Sequence, residues 1–544
     1  MRLQLQPGPG EMLLRHVGDR LLFRMVPEHA MPEAFLRTNL GRGAALYAEV
    51  VRGHHQEKGH WHRTTGDASD VNVPPGTAWR DLPMRPREGG WELELTLTEA
   101  GFFNAKAYVV DEHGRQIWPD GPNIGVAVHP SEYRTANTIY CAFPRMFGEG
   151  KTAVSNANPT DLLVERLDKQ HYTVIPPSGK LRDLIKELPH IFETLGCRIL
   201  HLLPVSPTPT TYARFGRYGS PYAAGDLTAI DPALVEFDRR TTGVEQFEEL
   251  TSAAHGRGGR VFLDMVINHT GWGSTLQENH PDWFLRKENG LFASPGAWGT
   301  VWEDLVELDH HKPSSWDAIA DAFITWCRRG VDGFRCDAGY KVPTAAWRYI
   351  IAKVRHEFPD ALFLLEGLGG AWAATEELLT VGGMQWAYSE LFQNYSPVEV
   401  STYLEHSARK SREVGTLVHY SETHDNPRLA AHPQGRVWSL LRNQLCALSS
   451  HSGAFGYTGG VEWLATEKVN VHSCSGMAWG SAENIVAELA RLARILAEHP
   501  AFFDGARVAR ISGPESPIYA LERISAETND RILVLINLEQ PRQS

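Results

Sequence analysis

From Asn137 onward the chain alternates between short apolar runs and stretches with the three-to-four-residue periodicity of amphipathic helices. "TIYCAF" precedes "LRDLIKELPHIFETLG"; "CRILHLLPV" precedes "GVEQFEELTSAAHGRG"; "RVFLDMVIN", "GFRCD" and "ALFLLEG" continue the series, separated by "SWDAIADAFITWCRRG" and "AAWRYIIAKVRHEF". Strands apolar on both faces and alternating with helices predict a parallel sheet covered by helices. Further strand candidates at 384–389, 417–422 and 453–457 bring the strand count to eight, which favours closure into a (β/α)8 TIM barrel over an open sheet. The barrel is expected over residues 133–500, with a Trp-rich excursion at 270–312 after the third strand. Residues 1–132 read differently, as short alternating segments such as "DRLLFRMV" and "WELELTLT" between turn residues, which predicts an N-terminal β-sandwich. Two last strand-like runs, "PIYALERIS" and "RILVLINL", make 501–544 the expected start of a C-terminal β-domain that a longer chain would complete.

Composition adds exclusions. The 65 acidic and 53 basic side chains leave a net charge of -12 with no long run of one sign, which argues against binding nucleic acid through its phosphates. The first residues have no continuous apolar segment, and no later run has the length of a membrane span, so a cytoplasmic protein is expected. The six cysteines are scattered without a C-x-x-C pair, as buried reduced thiols would be.

The chemistry lies where otherwise apolar strands end in polar residues, because a barrel of this kind builds its active site from the C-terminal ends of its strands. The third strand ends with Asp264, Asn268 and His269, the fourth with Arg335 and Asp337, the fifth with Glu366 and the seventh with His424 and Asp425. Burying a carboxylate costs several kcal/mol unless it is compensated. Arg335, two residues before Asp337 on one strand, points to the same side and can hold that carboxylate ionised. Asp332, at the strand's opposite end, reads as structural. Any one of these residues could tie a loop to the barrel rim. Three acids and two histidines at the ends of four strands instead suit double-displacement glycoside hydrolysis, with a nucleophile, an acid/base and a third group shaping the transition state.

"DMVINH", "GFRCD", "LLEG" and "THDNPR" resemble, in order, the four conserved regions of glycoside hydrolase family 13, the α-amylase family. The resemblance implies that Asp337 is the nucleophile, Glu366 the general acid/base and Asp425 the third acid gripping the distorted sugar. It also implies that Arg335 holds the nucleophile, that His269 and His424 hydrogen-bond the same sugar, and that Tyr222 in "GSPYAAGDLTAIDP" stacks on the ring; Asp264 is expected to bind substrate with them. Arg428 would close the glycone side. Asn268 and Asp304 resemble calcium ligands of the family, so Ca2+ is an implied ion although no cofactor is required; two side chains fall short of the six to eight oxygens calcium takes. After Asp337 the sequence runs Ala338, Gly339, Tyr340, Lys341, a departure that puts the aglycone subsites in question. Trp272, Trp283, Trp298 and Trp302 could stack on sugars or form a small core of the excursion. The sandwich resembles carbohydrate-binding or spacer modules. The implied activity is cleavage of α-1,4-glucosidic bonds in maltodextrin or glycogen by hydrolysis. A 4-α-glucanotransferase or maltosyltransferase with the same residues is the alternative, and a non-catalytic glucan-binding barrel the remaining one.

Overall fold

The computed structural model describes residues 3–56, 77–148, 151, 166–167, 169–170, 178–209, 218–297, 299–368, 370–474 and 476–538. Eight parallel strands close into a barrel: β1 Thr138–Ala142, β2 Ile199–Leu202, β3 Arg260–Val266, β4 Gly333–Asp337, β5 Leu362–Leu365, β6 Trp386–Tyr388, β7 Thr416–Tyr420 and β8 Phe455–Thr458, with β8 returning to pair with β1. A helix follows each strand: α1 Leu181–Leu188, α2 Gly243–His255, α3 Ser314–Arg328, α4 Thr344–Glu357, α5 Trp372–Thr380, α6 Pro397–Glu413, α7 Gly435–Ser449 and α8 Val486–Glu498. The continuous apolar runs of the sequence are the strands, buried at nearly every position because one face lines the barrel and the other meets the helices.

Helix starts follow local chemistry. Thr242 and Ser396 accept from the backbone N–H three residues on, while Glu245 and Glu399 reach back to the cap residue, so α2 and α6 begin with reciprocal caps. At the foot of the barrel Asp332 accepts from Val261 N at 2.7 Å and pairs with His255 Nε2 at 2.8 Å, a structural tie between α2, β3 and the entry to β4.

The excursion after β3 is a layer of its own. His269–Gly271 pairs antiparallel with Leu305–Glu307, and Gly296–Ala297 with Thr300–Val301. Trp283 is buried and stacks on His280 at 3.8 Å, Trp272 donates from its indole to the Glu303 carbonyl, and Trp302 lies beneath the Lys341 ammonium at 5.2 Å. Trp298 lies outside the described residues.

Before the barrel, a four-stranded and a six-stranded sheet enclose one core that includes Phe23, Met25, Leu36, Phe103 and Val126, and the helix Gly43–Gln56 of this region packs on α4. After it, Arg507–Arg510, Ile518–Ile524 and Arg531–Asn537 form a three-stranded antiparallel sheet. All six cysteines are free thiols, five of them buried. Among the described residues no helix is long and apolar enough to cross a membrane.

Candidate active site

The register of the barrel assembles the site. β3 and β4 pair with Asp264 opposite Arg335, and β4 and β5 pair with Cys336 opposite Leu365, which sets Glu366 beside Asp337. Alternation along β4 turns Arg335 and Asp337 inward together and Cys336 into the packed wall.

One guanidinium then meets three carboxylates. Arg335 Nη1 donates to Asp264 Oδ1 and Oδ2 at 2.9 and 3.0 Å and to Asp337 Oδ1 at 2.6 Å, while Nη2 lies 2.6 Å from Glu366 Oε1. The second oxygen of Glu366 accepts from the Ala338 N–H at 2.7 Å. Ala338 holds φ +45°, a left-handed conformation costly for a residue with a Cβ, and this strained turn is what brings its N–H back across the site. Asp337 Oδ2 is left without a close donor, the nearest being His269 Nε2 at 3.9 Å, so it is the oxygen available for attack.

The charges do not balance, and the imbalance sorts the acids. Burial works against ionisation of Asp264, but Arg335 and then His201 overcome it and hold this carboxyl below its ordinary range. Burial pushes Glu366 up, against Arg335 and the Ala338 N–H and with the help of Asp425 and Asp264. Asp337 is also pushed well up by burial, with Glu366 and Asp264 adding to it and Arg335 opposing. The expectation that Arg335 would keep Asp337 ionised is therefore met in contact and not in balance, because the same cation serves three anions.

Around this centre Tyr222 donates its hydroxyl to Asp264 Oδ2 at 2.9 Å, meets His424 Nε2 at 2.8 Å and stacks parallel on the His424 ring at 5.4 Å. Its ring and that of Tyr388 sit 5.8 and 5.5 Å from the guanidinium carbon of Arg335. His269 is buried, pushed down to about 3 by burial and by Lys341, and its Nε2 has no partner among the described residues, which leaves a neutral ring with one nitrogen for a ligand hydroxyl. Asp425 stands apart from the buried trio: its carboxylate is 65% exposed at the mouth, 3.3 Å from His424 Nε2.

Two residues expected to touch the sugar do something else. Asp264 is wholly enclosed by Arg335, Tyr222 and His201, so it anchors the arginine. Arg428 donates to Glu422 Oε1 and to the Gly459 and Glu467 carbonyls, and Glu422 also accepts from Leu429 N at 2.7 Å. This buried pair fixes the segment after β7 to the loop after β8. A second buried acid, Glu462, accepts from Tyr140 and from Gly460 N, each at 2.8 Å, and completes that support. His201, Tyr388, Glu422 and Glu462 escaped sequence reasoning: His201 and Tyr388 lie within apolar strands, and the two glutamates sit outside any strand-end pattern. The usable signal was a carboxylate inside "HYSETHDN" and "GGVEW", short segments otherwise rich in small residues.

Asn268 and Asp304 are both buried, but the Asn268 amide meets His269 Nδ1 at 3.3 Å and burial pushes the Asp304 carboxyl up. Among the described residues they are not part of a cluster of three or more acidic, histidine or cysteine ligands, and two side chains do not supply the oxygen set calcium takes. No chemical step is assigned to a metal.

Residues 141–402 match the family model described as alpha amylase, catalytic domain. The alpha-1,4-glucan:maltose-1-phosphate maltosyltransferase of Pseudomonas aeruginosa is 30% identical over 353 residues, covering 59% of this chain and 51% of its own length. The enzyme of the same name from Cereibacter sphaeroides is 27% identical over 394 residues, covering 66% and 63%. The chain thus spans about half the length of the first of these relatives and just under two thirds of the second. An alpha-amylase from Lactobacillus plantarum superposes with a TM-score of 0.57 at 22% identity over 73% of this chain and 87% of its own. The maltogenic alpha-amylase AmyB of Thermotoga neapolitana gives 0.58 at 21% over 74% and 86%, and both share the fold. A closed eight-stranded barrel carrying three acids around one arginine, with this match across its centre, identifies the barrel as an alpha amylase catalytic domain.

Proposed function

We propose that this chain is a retaining α-glucan transglycosylase that moves a maltosyl unit onto the end of an α-1,4-glucan, with maltose 1-phosphate as donor. The observation that carries the chemistry is the single Arg335 guanidinium shared by Asp264, Asp337 and Glu366, which gathers nucleophile and acid/base on one centre. The choice of transfer over hydrolysis rests on the relatives, whose names give that donor and acceptor.

In the reactive form the proton of the Asp337–Glu366 pair is on Glu366, and Asp337 is ionised against Arg335 Nη1. Asp337 Oδ2 attacks the anomeric carbon as the bond to the leaving oxygen breaks, and the Glu366 proton moves to that oxygen. The result is a covalent glycosyl ester on Asp337 and an ionised Glu366. The 4-hydroxyl of the acceptor glucan then attacks the anomeric carbon, Glu366 takes its proton, and Asp337 leaves as carboxylate, so configuration is retained. Glu366 suits the first half because burial favours its protonated form, and the second because its Arg335 and Ala338 donors receive the carboxylate left behind. His269 Nε2 and the Tyr222–His424 stack supply neutral groups for the sugar's hydroxyls and face.

Incubation with maltoheptaose, alone and with maltose 1-phosphate, tests this by product size. Oligosaccharides lengthened by two glucose units and dependent on the phosphorylated donor are expected. Shorter products alone mean hydrolysis, and no turnover of either substrate means a binding barrel.

A further inference from the structure

Below the barrel, away from the strand ends that carry the acids, a small pocket partly open to solvent lies between α6, the end of α7 and the first C-terminal strand. It is lined by Ser407, Ser411, Arg412, His419, Ser450 and His451 among others, and by no acidic side chain.

Its surroundings are cationic, and the acid whose charge reaches His451, Asp504, is paired with Arg134 and His16. Arg523, behind the pocket, is almost fully buried and spends its guanidinium on the carbonyls of Ala501, Leu448 and Ser450. Among the described residues Arg412 at the rim bonds only the Ala408 carbonyl. Neither forms an ion pair among the described residues. The acids nearby are committed elsewhere: Glu405 to Arg510 at 2.6 Å, Asp504 to Arg134 at 2.9 Å and to His16, and Glu413 to Lys410 at 3.4 Å. A buried guanidinium with no anion is costly, and a bound anion would remove that cost.

The donors for such an anion are in place. His451 is buried and its Nδ1 has no partner. Ser411 Oγ accepts from Leu417 N, which leaves its proton to donate. Burial and Arg523 push both His419 and His451 down to about 3; His419 Nδ1 is held by Ser389 Oγ at 2.7 Å, so the nitrogen open to an anion is Nδ1 of His451.

We propose that this pocket binds a tetrahedral oxyanion, either free phosphate or the phosphate of a small sugar phosphate, and that the anion joins the C-terminal sheet to the barrel. The pocket is separate from any phosphate handled at the barrel mouth, and the test keeps the two apart.

Inorganic phosphate titrated calorimetrically into the full chain at low millimolar concentration and fixed ionic strength, with chloride as control, should give saturable binding. Low concentration avoids the general stabilisation that phosphate gives by exclusion from protein surfaces. Arg412 is exposed, so R412E should fold, and it should weaken phosphate binding by about tenfold or more, the effect of losing a charged hydrogen bond. D337N, altered only at the mouth, should bind phosphate as the parent does. Repeating the titration with glucose 1-phosphate identifies which source fills the pocket, and R412E should weaken whichever binds. Absence of saturable binding by both, binding matched by chloride, or binding that R412E leaves unchanged would overturn the proposal.

Discussion

Replacing Glu366 by glutamine should stabilise the protein at alkaline pH while removing turnover. In the folded chain an ionised Glu366 is drawn to Arg335 Nη2, 2.6 Å from its Oε1, while burial, which outweighs that attraction, disfavours the charge. The neighbouring carboxylates of Asp425 and Asp264 add to the penalty. With burial included the charge is net unfavourable, by about 2 kcal/mol, the order of an incompletely compensated buried polar group. Glutamine removes the charge but can accept from only one of its two donors, Arg335 and the Ala338 N–H, which returns about 1 kcal/mol. The remaining gain of about 1 kcal/mol corresponds to a rise of about 1–2 °C in the unfolding midpoint.

The gain depends on pH in a defined sense. Because the folded state raises the Glu366 pKa, this residue's contribution to stability is complete below the ordinary carboxylate range and is lost as pH rises through the raised value. E366Q removes that loss, so its advantage grows with pH and vanishes in acid. Differential scanning calorimetry of both proteins at pH 5 and pH 8 measures it, alongside an activity fall of about 10²–10⁴-fold. An E366Q protein less stable than the parent at pH 8, or a difference equal at both pH values, would refute the charge surplus.

Removing the guanidinium in R428A leaves Glu422 buried and unpaired, and should cost about 3–5 kcal/mol in urea unfolding; loss below 1 kcal/mol would show that the pair does not hold the two loops. Y222F deletes the hydroxyl that joins Asp264 to His424 but keeps the ring, so kcat should drop by about tenfold with little change in KM, read from steady-state kinetics. His269, held neutral down to about 3, should not titrate in the working range, so H269N should lower kcat/KM without moving either limb of the pH–rate profile.

Much of this architecture could be read from the chain because a parallel barrel buries its strands on both faces and so writes them as unbroken apolar runs. The eight runs from "TIYCAF" to the segment near Tyr457 are the eight strands of the closed barrel. The acids were legible for a related reason: a charged residue ending such a run stands out against it. What the sequence did not reveal is how one cation is divided. Alternation shows that Arg335 shares a side with Asp337, but only the pairing of β3 with β4 brings Asp264 under the same nitrogen and takes it out of reach of a sugar. Arg428 misled in the same way, since its partner Glu422 is six residues earlier in a loop whose path has no periodicity. Ala338 could not be foreseen either, because its left-handed backbone is imposed by the site and not by a glycine at that position.

The most direct test of Asp337 as the attacking group is capture of the glycosyl ester. A maltosyl fluoride carrying fluorine at C2, which slows breakdown of the intermediate, should add one maltosyl mass to the protein, and peptide mapping should place it on Gly333–Asp337 at the Asp337 side chain. D337N should remain unmodified. An adduct on Asp264 or Glu366, or turnover of the reagent with inverted configuration and no adduct at any time point, would contradict the account.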